Sequence, residues 1–128
     1  MDKRESGIEG EDFAAEYYRK LGFEIKARNF HCRGGEIDII AENGEYIVFV
    51  EVKNRTDGAL YSPKEAVDAG KQRKLTLAAM KYLSETESDK QPQFDVFEIY
   101  SNNNRIYKFQ RIENAFEGFD FGGRYDIF

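Results

Sequence analysis

Hydrophobic and polar positions change period several times along this chain. Near the N-terminus Ala14, Tyr17, Tyr18 and Leu21 recur at helical spacing, and one turn further back the stripe reaches Gly10 and Glu11. Ser6 with Glu9 three residues on reads as a capping box and Gly22 as a stop, so the pattern predicts a helix ending near Leu21 with Glu11 on or beside its inward face. The period then falls to two. FEIKARNF alternates as a half-buried strand does, EIDIIAE follows the glycine pair Gly34-Gly35, and YIVFVEVK follows the hairpin signal Asn43-Gly44. Ser62-Pro63-Lys64-Glu65, a second capping box with Pro at the first helical position, predicts a helix running to Leu83 or Ser84. SETESDKQP breaks it, and QFDVFEIY and RIYKFQRI close as a hairpin across Ser101-Asn102-Asn103-Asn104. The predicted order is α-β-β-β-α-β-β, an α/β chain with one domain over residues 1–115 and a Gly- and aromatic-rich tail over 116–128.

Composition fits a globular chain, with 41% hydrophobic, 15% aromatic and 34% charged residues among 128. No apolar run is long enough for a membrane span, the first residues lack the apolar stretch of a secretory signal, and the single Cys32 has no internal partner, so a reduced, cytoplasmic setting is expected. The net charge of −5 argues against a general nucleic-acid coat protein. Residues 17–74, with eleven Lys and Arg against nine Asp and Glu, are nevertheless net basic, while the segments on either side are acidic.

That middle segment carries the candidate chemistry. In YIVFVEVKNR the apolar run is interrupted by Glu51 and Lys53, which share a face with Phe49, while Val48, Val50 and Val52 point the other way. On the preceding strand Glu36, Asp38 and Ile40 share one face and Ile37 and Ile39 the other. A two-residue turn at Asn43-Gly44 puts Asp38 diagonal to Glu51, and a four-residue loop puts it directly opposite; both bring the two acids within reach of one cation, whereas a three-residue loop without a bulge would separate them. Two close carboxylates suit Mg²⁺ or Mn²⁺ with phosphate oxygens, and Lys53 adds a donor for an attacking water or for transition-state charge. On the second helix Lys71 falls in the apolar row Val67, Leu75, Ala78, Tyr82, beside Gln72, and Arg55, Lys64, Arg73 and Lys74 are positioned to line the approach of a phosphate backbone.

Each of these residues has a plainer reading. Glu51 and Lys53 also suit an exposed strand edge, Lys71 a snorkelling position, and Glu11 a helix N-terminus favoured by the dipole. Glu36 serves equally as an outer acid of the site or as a cap on the Gly34-Gly35 turn, and His31-Cys32 lacks a second pair for zinc.

Four stretches in this order, GEDFAAEYYRKLGF, RNFHCRGGEIDIIA, VFVEVKNR and SPKEAVDAGKQRKLTLAAMKYL, resemble the YraN family of bacterial proteins. That family is similar to Holliday-junction resolvases of the PD-(D/E)XK nuclease superfamily. The resemblance implies a restriction-endonuclease-like core, a mixed sheet flanked by helices. It implies Asp38 and Glu51 as metal-binding acids, with the Val52 carbonyl as a further ligand, Lys53 as the catalytic lysine and Glu11 as the first-helix acid. It also implies DNA as substrate, branched DNA included, and a homodimer. Ile37 stands where the superfamily usually has proline. Two rival functions stay open at this level: a nucleic-acid-binding module without turnover, and an interaction subunit whose aromatic tail adds a strand to a protein partner.

Overall fold

The computed structural model describes residues 3–56 and 67–118, with side chains from residue 9 onward. The cap expected at Ser62–Glu65, Lys64 with it, and residues 119–128 of the tail lie outside the described residues. Helix α1 (Lys3–Lys20) leads into strands β1 (Glu24–Cys32), β2 (Gly35–Glu42) and β3 (Tyr46–Arg55). Helix α2 (Ala69–Thr86) then precedes β4 (Gln91–Asn102) and β5 (Arg105–Phe116). The five strands lie side by side in sequence order. β3 and β4 run parallel, with α2 on the connection between them, and every other neighbour pair is antiparallel. This is the α/β order read from the sequence, with a mixed sheet.

The sheet has a core on each face. Under α2 pack Ile37, Ile40, Phe49, Leu75, Ala78, Phe94 and Val96. Under α1 pack Ala14, Ala15, Tyr18, Ile39, Val48, Val50 and Phe97. With both faces covered, the central strands bury nearly every position, polar ones included. Asp95 is held between Tyr18 Oη (2.5 Å), Arg111 Nε (2.8 Å), Gln93 Nε2 (2.9 Å) and the Asn114 amide (3.0 Å), so its buried charge is fully partnered. β5 reaches Phe116, which stacks on Phe94 at 4.6 Å, and Gly118 still sits tightly against Thr76 and Phe94.

Three sequence expectations are corrected. Leu21 is 48% exposed, because it lies in the turn beyond the last helical residue, where Gly22 takes φ 96°. The second helix does not run unbroken from Pro63. Asp68 is an extended N-cap whose carboxylate accepts the Lys71 amide at 2.8 Å, so the chain at Val67 and Asp68 is not helical. Finally, Ile37 does not share a face with Ile39: it packs with Ile40 under α2, while Ile39 packs under α1.

Candidate active site

The register of β2 on β3 decides which of the two hairpin geometries holds. Glu42 pairs with Ile47 and Ile39 with Val50, so Asp38 comes opposite Glu51. This is the register of the four-residue loop. The turn is fixed by Asn43, whose side chain accepts the amides of Glu45 (2.9 Å) and Tyr46 (2.7 Å). The ladder between the two strands ends at Ile39 and Val50. Beyond that point β2 and β3 diverge, and the Val52 amide is taken not by a β2 carbonyl but by Asp38 Oδ2, at 2.7 Å. The acids therefore stand at a fork in the sheet.

Their surroundings set their chemistry. Glu51 is only 5% exposed. Its Oε2 takes two ammonium groups, Lys71 Nζ at 3.2 Å and Lys53 Nζ at 3.6 Å. Burial, together with the adjacent Glu51 charge, pushes the Asp38 carboxyl up to about 7; the Val52 amide and Lys71 oppose the rise without cancelling it. A hydrogen bond between Asp38 and Glu51 also contributes to the rise. Burial pulls the Lys71 ammonium down, but Glu51, Asp38 and Glu36 outweigh it and hold it above its ordinary value.

The donor set fits a divalent cation of the Mg²⁺ class: two hard carboxylates facing each other, one of them raised by burial and by the charge of the other. The amide and carbonyl of one strand residue project to the same side, so the Val52 carbonyl looks into the same fork. Among the described residues no group of three or more carboxylate, His or Cys side chains is gathered as a metal cage, so the side-chain acids of the site are these two.

The other expected residues have surroundings of their own. Glu11 Oε1 accepts from Arg28 Nη2 and Asn29 Nδ2 on β1, both at 3.2 Å. Glu36 pairs with His31 Nδ1 at 3.1 Å and lends field to Lys71. Arg55 is committed to the fully buried Glu98 at 2.8 Å. Gln72 turns back to the Val67 carbonyl at 3.1 Å, and Arg73 is exposed. Lys71 and Lys74 face an open cleft of about 410 Å³ between the β1–β2 turn and α2, which His31, Cys32 and Glu36 also line.

Two residues with a part in this geometry were passed over in the sequence. Glu98 is the one acid in the otherwise apolar face Phe94, Val96, Glu98, Tyr100 of its strand, which was the signal. Asn29 sits where the apolar spacing of β1 slips from Ile25 and Ala27 to Phe30 and Cys32.

Fold and fork together define an α/β protein with a paired-acid, paired-lysine site. The model of the uncharacterised protein family UPF0102 matches residues 10–99, and this chain belongs to that family. A UPF0102 protein of Caldicellulosiruptor saccharolyticus is 43% identical over 118 residues, covering 91% of this chain and 100% of its own. Those of Caldanaerobacter subterraneus and Geobacter metallireducens are 42% and 41% identical, each over 91% of this chain and over 98% and 96% of their own lengths. No helix among the described residues is long and apolar enough to cross a membrane.

Proposed function

We propose that this chain is a metal-dependent nuclease of the PD-(D/E)XK type that hydrolyses phosphodiester bonds of DNA, branched DNA included. The observation that carries the reading is the fork: Asp38 and Glu51 face each other where the ladder ends, and Lys53 and Lys71 converge on one oxygen of Glu51. Asp38, Glu51 and the Val52 carbonyl would hold Mg²⁺ or Mn²⁺, which when bound supplies positive charge to a phosphate and lowers the pKa of a bound water. With such an ion bound, Asp38 would be ionised and Glu51 would not need both lysines. Lys53 would hold the attacking water or the developing negative charge on the phosphate, and Lys71 a neighbouring phosphate oxygen. Glu11 orients water or substrate from the α1 side. Lys74, with Lys71, gives the backbone a cationic path along the cleft. The cytoplasm, where Cys32 remains a thiol, and a homodimer belong to this reading.

The test is cleavage of single-stranded, duplex, flap and four-way DNA by pure protein with Mg²⁺ or Mn²⁺. Activity that Asp38→Ala and Lys53→Met both abolish supports it. Absence of any cleavage that depends on Asp38 overturns it. One observation favours a second reading, a binding module without turnover: Lys53 and Lys71 already neutralise Glu51 without a metal. That reading predicts salt-dependent DNA binding with no cleavage, and loses its basis if no gel shift is seen at low salt.

A further inference from the structure

The β1–β2 hairpin changes face at a single step. Arg28 pairs with Ile39 and Phe30 with Ile37, which leaves Asn29 opposite Asp38. Arg28 and Ile39 lie on the α1 side, Arg28 through contacts to Glu11 and Asp12. Phe30 and Ile37 lie on the α2 side. In a regular strand positions 28 and 30, like 37 and 39, would share a face. Asn29 makes the switch: it has φ 52° in mid-strand. Glu87 has positive φ as a helix C-cap and Asn103 and Asn104 in the β4–β5 turn, while Asn114 repeats the mid-strand case in β5, where its amide donates to the buried Asp95. Asn29 has paired residues on either side and no turn to make. Asparagine tolerates this backbone better than most residues, and strained residues inside strands concentrate beside functional sites.

The kink has two consequences. On β2 it takes Asp38 out of the regular ladder, so that its carboxylate lies along the sheet and accepts the Val52 amide. On β1 it brings two consecutive side chains, Arg28 and Asn29, to the same oxygen of Glu11. No hydrogen bond engages the other oxygen of Glu11 among the described residues.

We propose that Asn29 is a positioning residue for the fork: its left-handed backbone turns Asp38 onto Val52, and its amide fixes the Glu11 carboxylate on the α1 side. The first half stands on the geometry alone; the second rests on the nuclease reading given above. Asn29→Gly keeps the backbone accessible and removes the amide, whereas Asn29→Val disfavours the backbone itself. Two readouts on metal-free and Mn²⁺-titrated protein do not require cleavage: hydrogen exchange at the Val52 amide, and Mn²⁺ affinity by calorimetry.

The glycine variant is expected to retain both within about threefold. The valine variant is expected to exchange the Val52 amide at least about tenfold faster while the Ile39 and Val50 amides stay protected, and to lose Mn²⁺ affinity in parallel. If the valine variant does not fold, Asn29→Ala, which brings the same Cβ penalty in milder form, replaces it. Unchanged Val52 protection in the folded Val or Ala variant overturns the backbone role. For the amide role, Asn29→Gly should lower kcat on DNA as far as Glu11→Gln does at unchanged KM, and the double variant should be no worse than either alone. Additive losses overturn that half. A wild type that cleaves nothing overturns the nuclease reading and the amide role with it, and leaves the Val52 exchange result to decide the rest.

Discussion

Replacing Asp38 by asparagine should stabilise the metal-free protein in alkaline solution. The Asp38 carboxyl is raised from 3.8 to about 7 in the folded chain, by burial and by Glu51. Because the folded value lies above the unfolded one, the folded chain retains a proton that the unfolded chain has released. The resulting stabilisation is complete below about pH 4 and is lost as pH rises through about 7. The interval between the two values corresponds to about 4 kcal/mol over the whole window, of which about 2 kcal/mol falls between pH ~5.5 and pH ~8.5. Asparagine keeps an oxygen for the Val52 amide, offers an N–H to Glu51 and cannot ionise. Urea denaturation in EDTA at those two pH values should therefore show Asp38→Asn gaining about 2 kcal/mol relative to the wild type on going from the lower to the higher. Mg²⁺ at the higher pH should close part of that gap by stabilising the wild type alone. A difference that does not change with pH, or that shifts in favour of the wild type, would refute the assignment of a strained, proton-hungry acid pair to the fork.

Other consequences are structural. Arg55→Met leaves the fully buried Glu98 carboxylate without its guanidinium and should cost about 3 kcal/mol in chemical denaturation, most of it recovered in Arg55→Met/Glu98→Leu. Asp95→Ala takes the acceptor from Tyr18, Gln93 and the Asn114 amide and leaves Arg111 with Glu113, and a loss of about 3–5 kcal/mol is expected; a loss below about 1 kcal/mol would show that the network relaxes onto water. Gly35→Ala would put a methyl group 2.2 Å from the Lys74 carbonyl, so α2 must shift and melting should fall by the equivalent of about 2 kcal/mol. Gly44→Ala, with nothing within 4 Å of the added carbon, should stay within about 0.5 kcal/mol and serves as its control.

Most of the architecture was legible because side-chain period is a direct imprint of burial. The alternation in FEIKARNF, EIDIIAE and YIVFVEVK located three strands, and Glu51 and Lys53 stood out because their strand is otherwise apolar. The choice between the two hairpin registers was not legible, because it rests on Asn43 accepting the amides of Glu45 and Tyr46. The reversal at Ile37 was missed for a similar reason: β1 and β2 change face together where Asn29, with φ 52°, stands opposite Asp38, and regular alternation does not encode that. The burial of Asp95 and Glu98, which fall on opposite faces of QFDVFEIY, was not legible. They are buried because β4 sits inside a sheet covered on both sides, and only the strand order reveals that. Of the cations expected along the phosphate path, Arg55 went to Glu98, a tertiary pairing that local pattern does not encode.

The parallel seam between β3 and β4 has a kinetic side. β1, β2 and β3 meet as sequence neighbours, whereas the seam joins Tyr46 to Gln91 and Arg55 to Tyr100 and requires a long loop to close around α2. A chain that zips the three-strand meander first sets Asp38 against Glu51 before Lys71, carried on that loop, can reach them. We predict that Lys71→Met, which removes the cation delivered last, speeds unfolding while leaving the refolding rate within about twofold in stopped flow; a refolding rate that falls with the loss of stability would show that the seam forms earlier. On this order of events the two acids are set against each other while they still face water, and the parallel seam closes over them with its lysine afterwards.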